Sequence, residues 1–586
     1  MRRAATHKRP RYDSRAFEPA TDRMTMHDLV IRNALLLDGL GSVPERQDLA
    51  VANGKIVAIG SDLGDAAETI DADGLALMPG IIDSHTHYDA QVTWDALCDP
   101  SPALGVTTVI MGNCGFTIAP CRPDDRQLMM GHLTRVEGMA LEALEEGIRW
   151  NFESFPEYLE MIERQGVGPN IGVYIGHSAL RTFVMGKDAT ERAANDDEIQ
   201  AMCAIVADAM DAGAIGFSSS VHEQHVGWGG VPMPSRLAED KEFQAIAETV
   251  GSKRKGTLMV VKGSKTDIDW VERLAECSGR PVLVSAMRHH PAAPNKVFED
   301  LAALRNARER GRRLYGQCSC MPMAMDFTLE NPYPFEAYDA WKPAIEAGSG
   351  EAYKAVLRDP AWRAAMKEEI ATNPGMRIFR GNWDTLTVAE AALDKNRAVE
   401  ERSVAELAAE NGKHPFDQFL DLALEEDLKT LYATEFSNFD VPAVSRILQD
   451  PDNQISLGDA GAHLSFLCEA GYGLHLLGRW VRELGVLSLE EAARRLAGQQ
   501  ANLFGIRDRG TLTVGKAADL LLFDPETVGI GPKQRLHDLP GGANRLRTDA
   551  LGVHGVWVNG QRLADSNGPI PAQQRLPGKV MRDYAA

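Results

Sequence analysis

The chain is short of positive charge, because 62 Lys and Arg residues stand against 83 Asp and Glu residues and leave a formal net charge of −21. A nucleic-acid partner would require a basic surface opposite its phosphates, so this balance argues against nucleic-acid binding. The sequence also lacks any run of about 18 apolar residues, which a membrane-spanning helix would need. We therefore expect no nucleic acid and no membrane among the partners.

Cysteine is scarce, with 8 residues spread over 586 positions without a repeating spacing. This usage indicates a reducing compartment in which most thiols are small core residues, and we expect a cytoplasmic protein. The basic N-terminus lacks the apolar segment of a secretory signal. We predict that residues 1–26 form a disordered arm.

Short apolar runs separated by Asn-Gly, Asp-Gly and Gly turns occur at both ends of the chain, in residues 27–77 and 501–586. Such runs predict β-hairpins. Two β segments at opposite ends of a chain most simply pair with each other. We therefore expect one small β domain built from both chain ends, followed by a C-terminal tail.

The middle of the chain, residues 78–500, alternates nearly continuous apolar strands with amphipathic helices. The strand candidates are residues 78–87, 105–115, 170–181, 212–220, 256–263, 281–288, 312–320 and 454–463. This alternation predicts a parallel sheet covered on both faces. Eight units favour a closed (β/α)8 barrel of the TIM type, and an open doubly wound sheet is the alternative.

A long interval, residues 321–453, interrupts the alternation and is rich in Trp, Pro and helical patterns. Within it, Ser403 three residues before Glu406 is typical of a capping box at a helix start. Loops of this size usually carry function, so we expect a lid over the site, with a surface subdomain as the alternative.

Polar side chains follow three of the predicted strands at the end where barrel strands converge. His85 and His87 end the first strand, and residues two apart point to the same side of a strand. Cys114 ends the second strand, and Asp459 ends the eighth, which lies beside the first in a closed barrel. Each alone has an ordinary structural explanation, but two imidazoles, a thiolate and a carboxylate together suit Zn²⁺.

The segments PGIIDSHTHYD, GVTTVIMGNCGF, SLGDAGAH and RGTLTVGKAADLLLFDP resemble the amidohydrolase superfamily, and within it the D-aminoacylase branch of N-acyl-D-amino-acid deacylases. The resemblance covers nearly the whole chain after the N-terminal arm. It implies an α/β fold, with a metal-bearing (β/α)8 barrel and a small β-sandwich formed by both chain ends. It also implies that His85, His87 and Cys114 are metal ligands, and that Asp459 both binds the metal and acts as the catalytic general base.

The chain departs from that family at strands five and six, where the resemblance implies two further histidine ligands. Lys262 and Ala286 stand near those positions. We therefore expect one Zn²⁺ per chain, with other divalent metals open. Lys262 is a candidate metal ligand, as an amine or a carboxylated lysine, or a clamp for a substrate carboxylate. A shifted alignment would instead bring His289 to the metal.

Substrate contacts are expected from side chains near the strand ends, including the loop after strand four, GFSSSVHEQHVGWGGVPMPSR. His177 is a candidate for stabilising an oxyanion. Arginines are candidates for clamping a carboxylate. The candidate substrate-binding set is His177, His225, Arg236, Lys262, Arg288 and His289, and Arg181 is a further clamp candidate. His222 and His225 are expected to be solvated loop residues rather than a second metal pair.

These residues predict a metal-dependent hydrolase that cleaves an amide bond in a small molecule, and the resemblance implies that this molecule is an N-acyl amino acid, with the D form as one option. The metal would activate water, and Asp459 would transfer its proton. A deaminase, or a hydrolase of cyclic amides, formamides or carbamates, would use the same site. A metal-free, non-catalytic binding or scaffold protein is the alternative of another class. A homo-oligomer is compatible with the sequence.

Overall fold

The computed structural model describes residues 26–263, 266–372, 377–571 and 575–584. The predicted disordered arm, apart from Met26, lies outside the described residues. In the part of the chain that is described, no helix combines the length and the apolar character needed to cross a bilayer.

Eight parallel strands form the centre of the protein, and they lie in the eight predicted segments, except that the eighth strand begins one residue early, at Asn453. They are β1 (Ile81–Asp83, continued by His85–Thr86), β2 (Val106–Met111), β3 (Asn170–Gly176), β4 (Gly216–Ser220), β5 (Thr257–Val261), β6 (Val282–Ser285), β7 (Leu314–Cys318) and β8 (Asn453–Ile455, continued by Leu457–Ala460). Each strand pairs in parallel with the next. β8 pairs with β1, Leu457 opposite His85 and Ala460 opposite Thr86. The barrel prediction is therefore confirmed, and the open-sheet alternative is wrong.

Helices cover the outside of the barrel, which explains why strands such as β2 and β3 are mostly apolar and are buried along their whole length. The longest described helix, Asp196–Ala212, begins after Asn195, whose side chain accepts from the Glu198 N–H at 2.9 Å, and ends at Gly213 with φ +113°. The other helices are Arg126–Val136, Leu141–Gly147, Phe155–Gln165, His177–Met185, Asp240–Ser252, Ile268–Ser278, Lys296–Glu309, Val441–Gln449, Tyr472–His475 continued by Leu476–Glu483, and Leu489–Ala493 continued by Arg494–Gly498 and Gln499–Leu503.

Both chain ends build one β domain, as predicted. Its hydrogen bonds form a nine-stranded sheet, joined where Ala76–Pro79 runs antiparallel to Leu520–Phe523. The long first strand branches the sheet, because its two halves pair with different strands. The remaining strands are His27–Leu36, Glu45–Ala52, Lys55–Gly60, Ala66–Asp71, Val553–Val558, Gln561–Asp565 and Gly568–Pro569. The domain has its own apolar core, separate from that of the barrel. Two short ribbons pair Gly529–Ile530 with Ala550–Leu551 and Gln534–Leu536 with Arg545–Arg547.

The long interval after β7 folds as a packed unit of its own. A three-stranded antiparallel sheet, with Leu431–Ser437 between Met323–Phe327 and Leu386–Glu390, carries the helices Lys342–Ala347, Gly350–Arg358, Pro360–Thr372, Val404–Asn411 and Pro415–Glu425. Stacked aromatic rings, including those of Phe335, Trp341 and Phe419, fill its core. The Ser403 capping box is present, because the Glu406 N–H donates to Ser403 Oγ at 3.1 Å. Its role as a lid stays a prediction.

A buried polar network fixes the helix that follows β3. His177 Nε2 lies 2.7 Å from Glu242 Oε1, and His177 Nδ1 lies 2.8 Å from Ser219 Oγ. Because a carboxylate only accepts, Nε2 carries the proton and the serine hydroxyl donates to Nδ1. Arg181, one turn along the helix, pairs with the other oxygen of Glu242 and donates to the Arg192 carbonyl at 2.9 Å.

The predicted substrate roles of His177 and Arg181 are therefore wrong. Both side chains are completely buried, and both nitrogens of the imidazole already have partners. Burial raises the pKa of Glu242, but the bonds from His177 and Arg181 outweigh it and hold the pKa below its ordinary value. The ionised carboxylate is thus the counter-ion of a buried arginine, a structural role.

Replacing Glu242 by glutamine should destabilise the fold by about 3–5 kcal/mol, because it leaves the Arg181 guanidinium buried without a counter-ion. The measurement is the midpoint of thermal unfolding, which should fall clearly below that of the wild type. Glu351→Gln is the matched control, since Glu351 lies exposed beside Lys354 and Arg358. Equal midpoints for the two variants would show that the network does not stabilise the fold.

Candidate metal centre

The structure brings together the four side chains that were predicted to bind metal. His85 Nε2 lies 3.4 Å from Cys114 Sγ and 3.5 Å from Asp459 Oδ1. His87 Nε2 lies 4.0 Å and 3.3 Å from the same two atoms. Among the described residues, His85, His87 and Cys114 are the one group of three or more His, Cys, Asp or Glu side chains whose donor atoms all lie within 4.8 Å of one another. His289 is outside this group, so the alternative that brings it to the metal finds no support in the geometry and stays a prediction.

These separations fit a zinc ion in size. Zn–N bonds of about 2.0–2.1 Å and a Zn–S bond of about 2.3 Å place neighbouring donors of a tetrahedron about 3.3–3.6 Å apart. Three of the four measured separations agree with that range, and the 4.0 Å between His87 and Cys114 requires only a small approach. The donor set suits Zn²⁺, with His85, His87 and Cys114 as the compact group and Asp459 beside both imidazoles.

A turn with positive φ angles places Cys114 beside the two imidazoles. Cys114 has φ +58° and lies between Gly112 at φ +83° and Gly115 at φ +80°. A side chain on Gly112 would place its Cβ 2.7 Å from the Tyr174 carbonyl oxygen, so only glycine fits there. Burial raises the pKa of the Cys114 thiol to about 11, so binding as a thiolate requires a compensating cation.

Gln317 on β7 orients the ring of His85. Its Oε1 lies 2.8 Å from His85 Nδ1, and its amide nitrogen donates to Ser84 Oγ at 3.0 Å, which fixes the orientation of the amide. Because Oε1 only accepts, the proton of the neutral ring lies on Nδ1, and the Nε2 lone pair faces Cys114 and Asp459. Burial lowers the pKa of His85 to about 4, so this ring is neutral at ordinary pH, the form that binds metal.

Glu137 stands in the corresponding place for His87, with Oε1 3.3 Å from Nδ1. Burial raises the pKa of Glu137 to about 8. Burial also lowers the pKa of His87, but Glu137, Asp459 and Cys114 outweigh it and raise that pKa well above its ordinary value. Burial raises the pKa of Asp459, yet His87 and His85 outweigh it and lower that pKa. The centre therefore favours positive charge beside Asp459.

Four residues of this region were missed in the sequence: Glu137, Gln317, His463 and Glu469. His463 Nε2 lies 3.8 Å from Glu137 Oε2. Burial raises the pKa of Glu469 to about 7, and its Oε2 lies 4.0 Å from Arg288 Nη2. Gln317 had a signal, as a polar residue inside an apolar barrel strand. Glu137 had none, because it follows a helix and no local pattern relates it to His87.

Arg288 is the predicted substrate residue that the structure brings nearest to these donors. Its Nη2 lies 3.8 Å from Asp459 Oδ2, and its Nη1 donates to Met323 Sδ at 2.8 Å. His225 Nδ1 lies 2.6 Å from Ser220 Oγ. Burial first, and then the charges of His222, His463 and His87, lower the pKa of His225 to about 3. We retain Arg288 and His225 as predicted substrate contacts.

The other predicted substrate residues have partners of their own. Arg236 Nη1 donates to the His225 carbonyl at 3.1 Å. Lys262 Nζ lies 3.0 Å from Asp300 Oδ2, an ion pair that opposes its role as a metal ligand. The carbonyl of His289 accepts from the Asn438 N–H at 2.8 Å, and its side chain is buried. Their contacts with substrate stay predictions.

Comparisons with known proteins agree with this architecture. A D-aminoacylase of Alcaligenes xylosoxydans xylosoxydans is 29% identical over 546 residues, 91% of this chain and 93% of the relative. An N-acyl-D-aspartate deacylase of the same organism is 28% identical over 579 residues, 96% of this chain and 98% of the relative. The crystal structure of an N-acyl-D-glutamate deacylase of Bordetella bronchiseptica, in complex with zinc and a phosphonate inhibitor, has the same fold. Its TM-score is 0.64 at 24% identity, over 95% of this chain and 100% of that one.

The predicted resemblance is confirmed, since D-aminoacylases stand among both the relatives and the structural neighbours. The sequence profile of the amidohydrolase family matches residues 68–564, which is most of the chain. The chain therefore belongs to the amidohydrolase family and is a metal-dependent hydrolase of amide carbon–nitrogen bonds.

Proposed function

We propose that this protein is a zinc-dependent N-acyl amino acid deacylase with one Zn²⁺ per chain, held by His85, His87, Cys114 and Asp459. The observation that carries the proposal is that the Nε2 atom of each imidazole lies 3.3–4.0 Å from both Cys114 Sγ and Asp459 Oδ1. The substrate class is supported by the D-aminoacylase and N-acyl-D-aspartate deacylase relatives.

A Zn²⁺ ion bound there would lower the pKa of a water molecule and polarise the amide carbonyl of the substrate. Asp459 is held in its ionised form, which is the form that accepts a proton. Because its pKa is low, Asp459 is a weak base. It is therefore suited to take a proton from a water molecule whose pKa the metal has lowered, and not from bulk water. Asp459 Oδ1 faces the two imidazoles, whereas Asp459 Oδ2 faces Arg288. Oδ2 is therefore the oxygen that takes the proton from water and delivers it to the leaving nitrogen.

Arg288 supplies the positive charge that an N-acyl amino acid requires, because every such substrate carries an α-carboxylate. A guanidinium can bind both oxygens of a carboxylate at once. The buried Glu469 carboxyl group lies 4.0 Å from this guanidinium. The side chain is about one-sixth exposed, so its charge remains accessible to a ligand.

Protein purified without a metal-affinity tag should contain about one zinc ion per chain, because two imidazoles, a thiol and a carboxylate suffice to hold one ion with a further position for the water that it activates. Elemental analysis measures the content. His85→Ala should lose the metal, and His554→Ala, in the C-terminal β strands, is the control that should keep it. Two metals per chain would require ligands outside this set, and none after reconstitution would refute the metal site.

Asp459→Asn should lower kcat about 10²–10⁴-fold, because the amide cannot take a proton from water. The assay is hydrolysis of N-acetyl amino acids of both hands at saturating zinc, with metal content measured in parallel. Asp452→Asn, whose carboxylate pairs with Arg308 before β8, is the matched control and should retain activity. Unchanged hydrolysis by Asp459→Asn would exclude its role as the base. A zinc-loaded wild type that hydrolyses no member of the panel would exclude the substrate class.

Glu137→Gln should weaken zinc binding about 10–100-fold, the usual effect of losing a carboxylate that orients a metal-binding imidazole. Competition with a chromogenic chelator measures the dissociation constant directly and independently of activity. Glu142→Gln, on the helix that follows the Glu137 loop, is the control and should bind zinc as the wild type does. An unchanged constant for Glu137→Gln would mean that His87 does not depend on this carboxylate.

A further inference from the structure

A cavity lies at the opposite end of the barrel from the metal centre. It has a volume of about 250 Å³ and is lined in part by Gly256, Thr257, Arg280, Arg313, Asn502 and Arg507. Thr257 begins β5, and the first two arginines stand just before β6 and β7. The amino ends of parallel barrel strands face away from the end at which His85 and Asp459 meet. The cavity is therefore separate from the proposed catalytic site.

Three arginines and no carboxylate line this cavity. Across the described ranges, no ion pair includes Arg280, Arg313 or Arg507. The neighbouring Arg310 and Arg312, in contrast, form ion pairs with Glu272 and Glu276 on the adjacent helix. In a chain with a net charge of −21, a cavity with uncompensated positive charge is a departure from the rest of the surface.

Arg280 is held rigidly at the wall of the cavity. Its side chain is 8% exposed, its Nε donates to the Gly256 carbonyl at 2.9 Å, and its Nη1 donates to the Arg254 carbonyl at 3.0 Å. The hydrogen bonds found for this guanidinium thus go to neutral carbonyls and use two of its three nitrogens. Burial lowers the pKa of Arg280, and the nearby charge of Arg313 lowers it further. A buried charge without a counter-ion is unfavourable, and a bound anion would remove that cost.

We propose that this cavity binds a small polyvalent oxyanion, carrying either a phosphate or two or more carboxylates. Guanidinium groups bind both kinds of anion through pairs of oxygens. The volume lies just below the range of about 300–1,000 Å³ that is usual for pockets of drug-sized ligands, so it suits a small metabolite. Arg280 forms the fixed wall, whereas the exposed Arg313 and Arg507 close on the anion from the rim.

Calorimetric titration of the full-length protein with inorganic phosphate and with malonate, at constant ionic strength, tests the proposal. The wild type should bind at least one of them saturably, and the preferred anion identifies the phosphate or the polycarboxylate class. The double variant R313Q/R507Q should bind at least about tenfold more weakly, since a lost hydrogen bond to a charged group is worth 1.4 kcal/mol or more. Both residues are exposed, so the variant should unfold at the same temperature as the wild type.

The matched control is R310Q/R312Q, which removes the same charge from the same end of the barrel but outside the cavity, and which should bind as the wild type does. Binding of the anions at the metal centre would persist in R313Q/R507Q, so equal affinity in that variant and the wild type overturns the proposal. Saturable binding of neither anion overturns it as well. Equal weakening in both double variants would mean that general charge, rather than this cavity, attracts the anions.

Discussion

The pairing of β8 with β1 is the constraint on which the metal centre depends. Ser84 and Ser456, 372 residues apart in the chain, are hydrogen-bonded at 2.6 Å, and the His87 N–H donates to the Ala460 carbonyl at 2.7 Å. Asp83 accepts from the backbone of both strands, at His85 and at Gly458. Because Gly458 lacks a Cβ, it leaves room for that carboxylate. The pairing of β8 with β1 therefore both closes the barrel and places Asp459 beside the two imidazoles.

Closure also buries three carboxyl groups at this end of the barrel. Asp459, Glu137 and Glu469 approach one another, and burial raises the pKa of the last two to about 8 and 7. His87 and Arg288 provide the nearby positive charge. A divalent cation beside Asp459 would balance the carboxylates and favour the thiolate of Cys114.

The features predicted correctly are those encoded locally in the sequence. Each barrel strand is a short apolar run, and each proposed ligand lies at or just after the end of such a run. The apolar runs therefore predicted both the strands and the positions of the ligands. The errors arose from distant partners. His177 ends a strand as a catalytic residue would, but Glu242, 65 residues later, occupies its Nε2. Glu137 was missed because it reaches His87 from a segment that no local pattern links to it, and Asp300 pairs with Lys262, whose substrate contact stays a prediction.

The polarity of the barrel relates its two ends. Helices outside a parallel barrel direct their amino ends, which are partly positive, toward the strand ends that carry the metal centre, and their carboxyl ends, which are partly negative, toward the other. Arg280 follows the helix Ile268–Ser278 and bonds to carbonyls just beyond the helix Asp240–Ser252. Helix polarity thus favours buried carboxylates at one end and arginines at the other. Each end then attracts a ligand of opposite charge, a metal cation at the proposed catalytic site and an anion at the proposed second site.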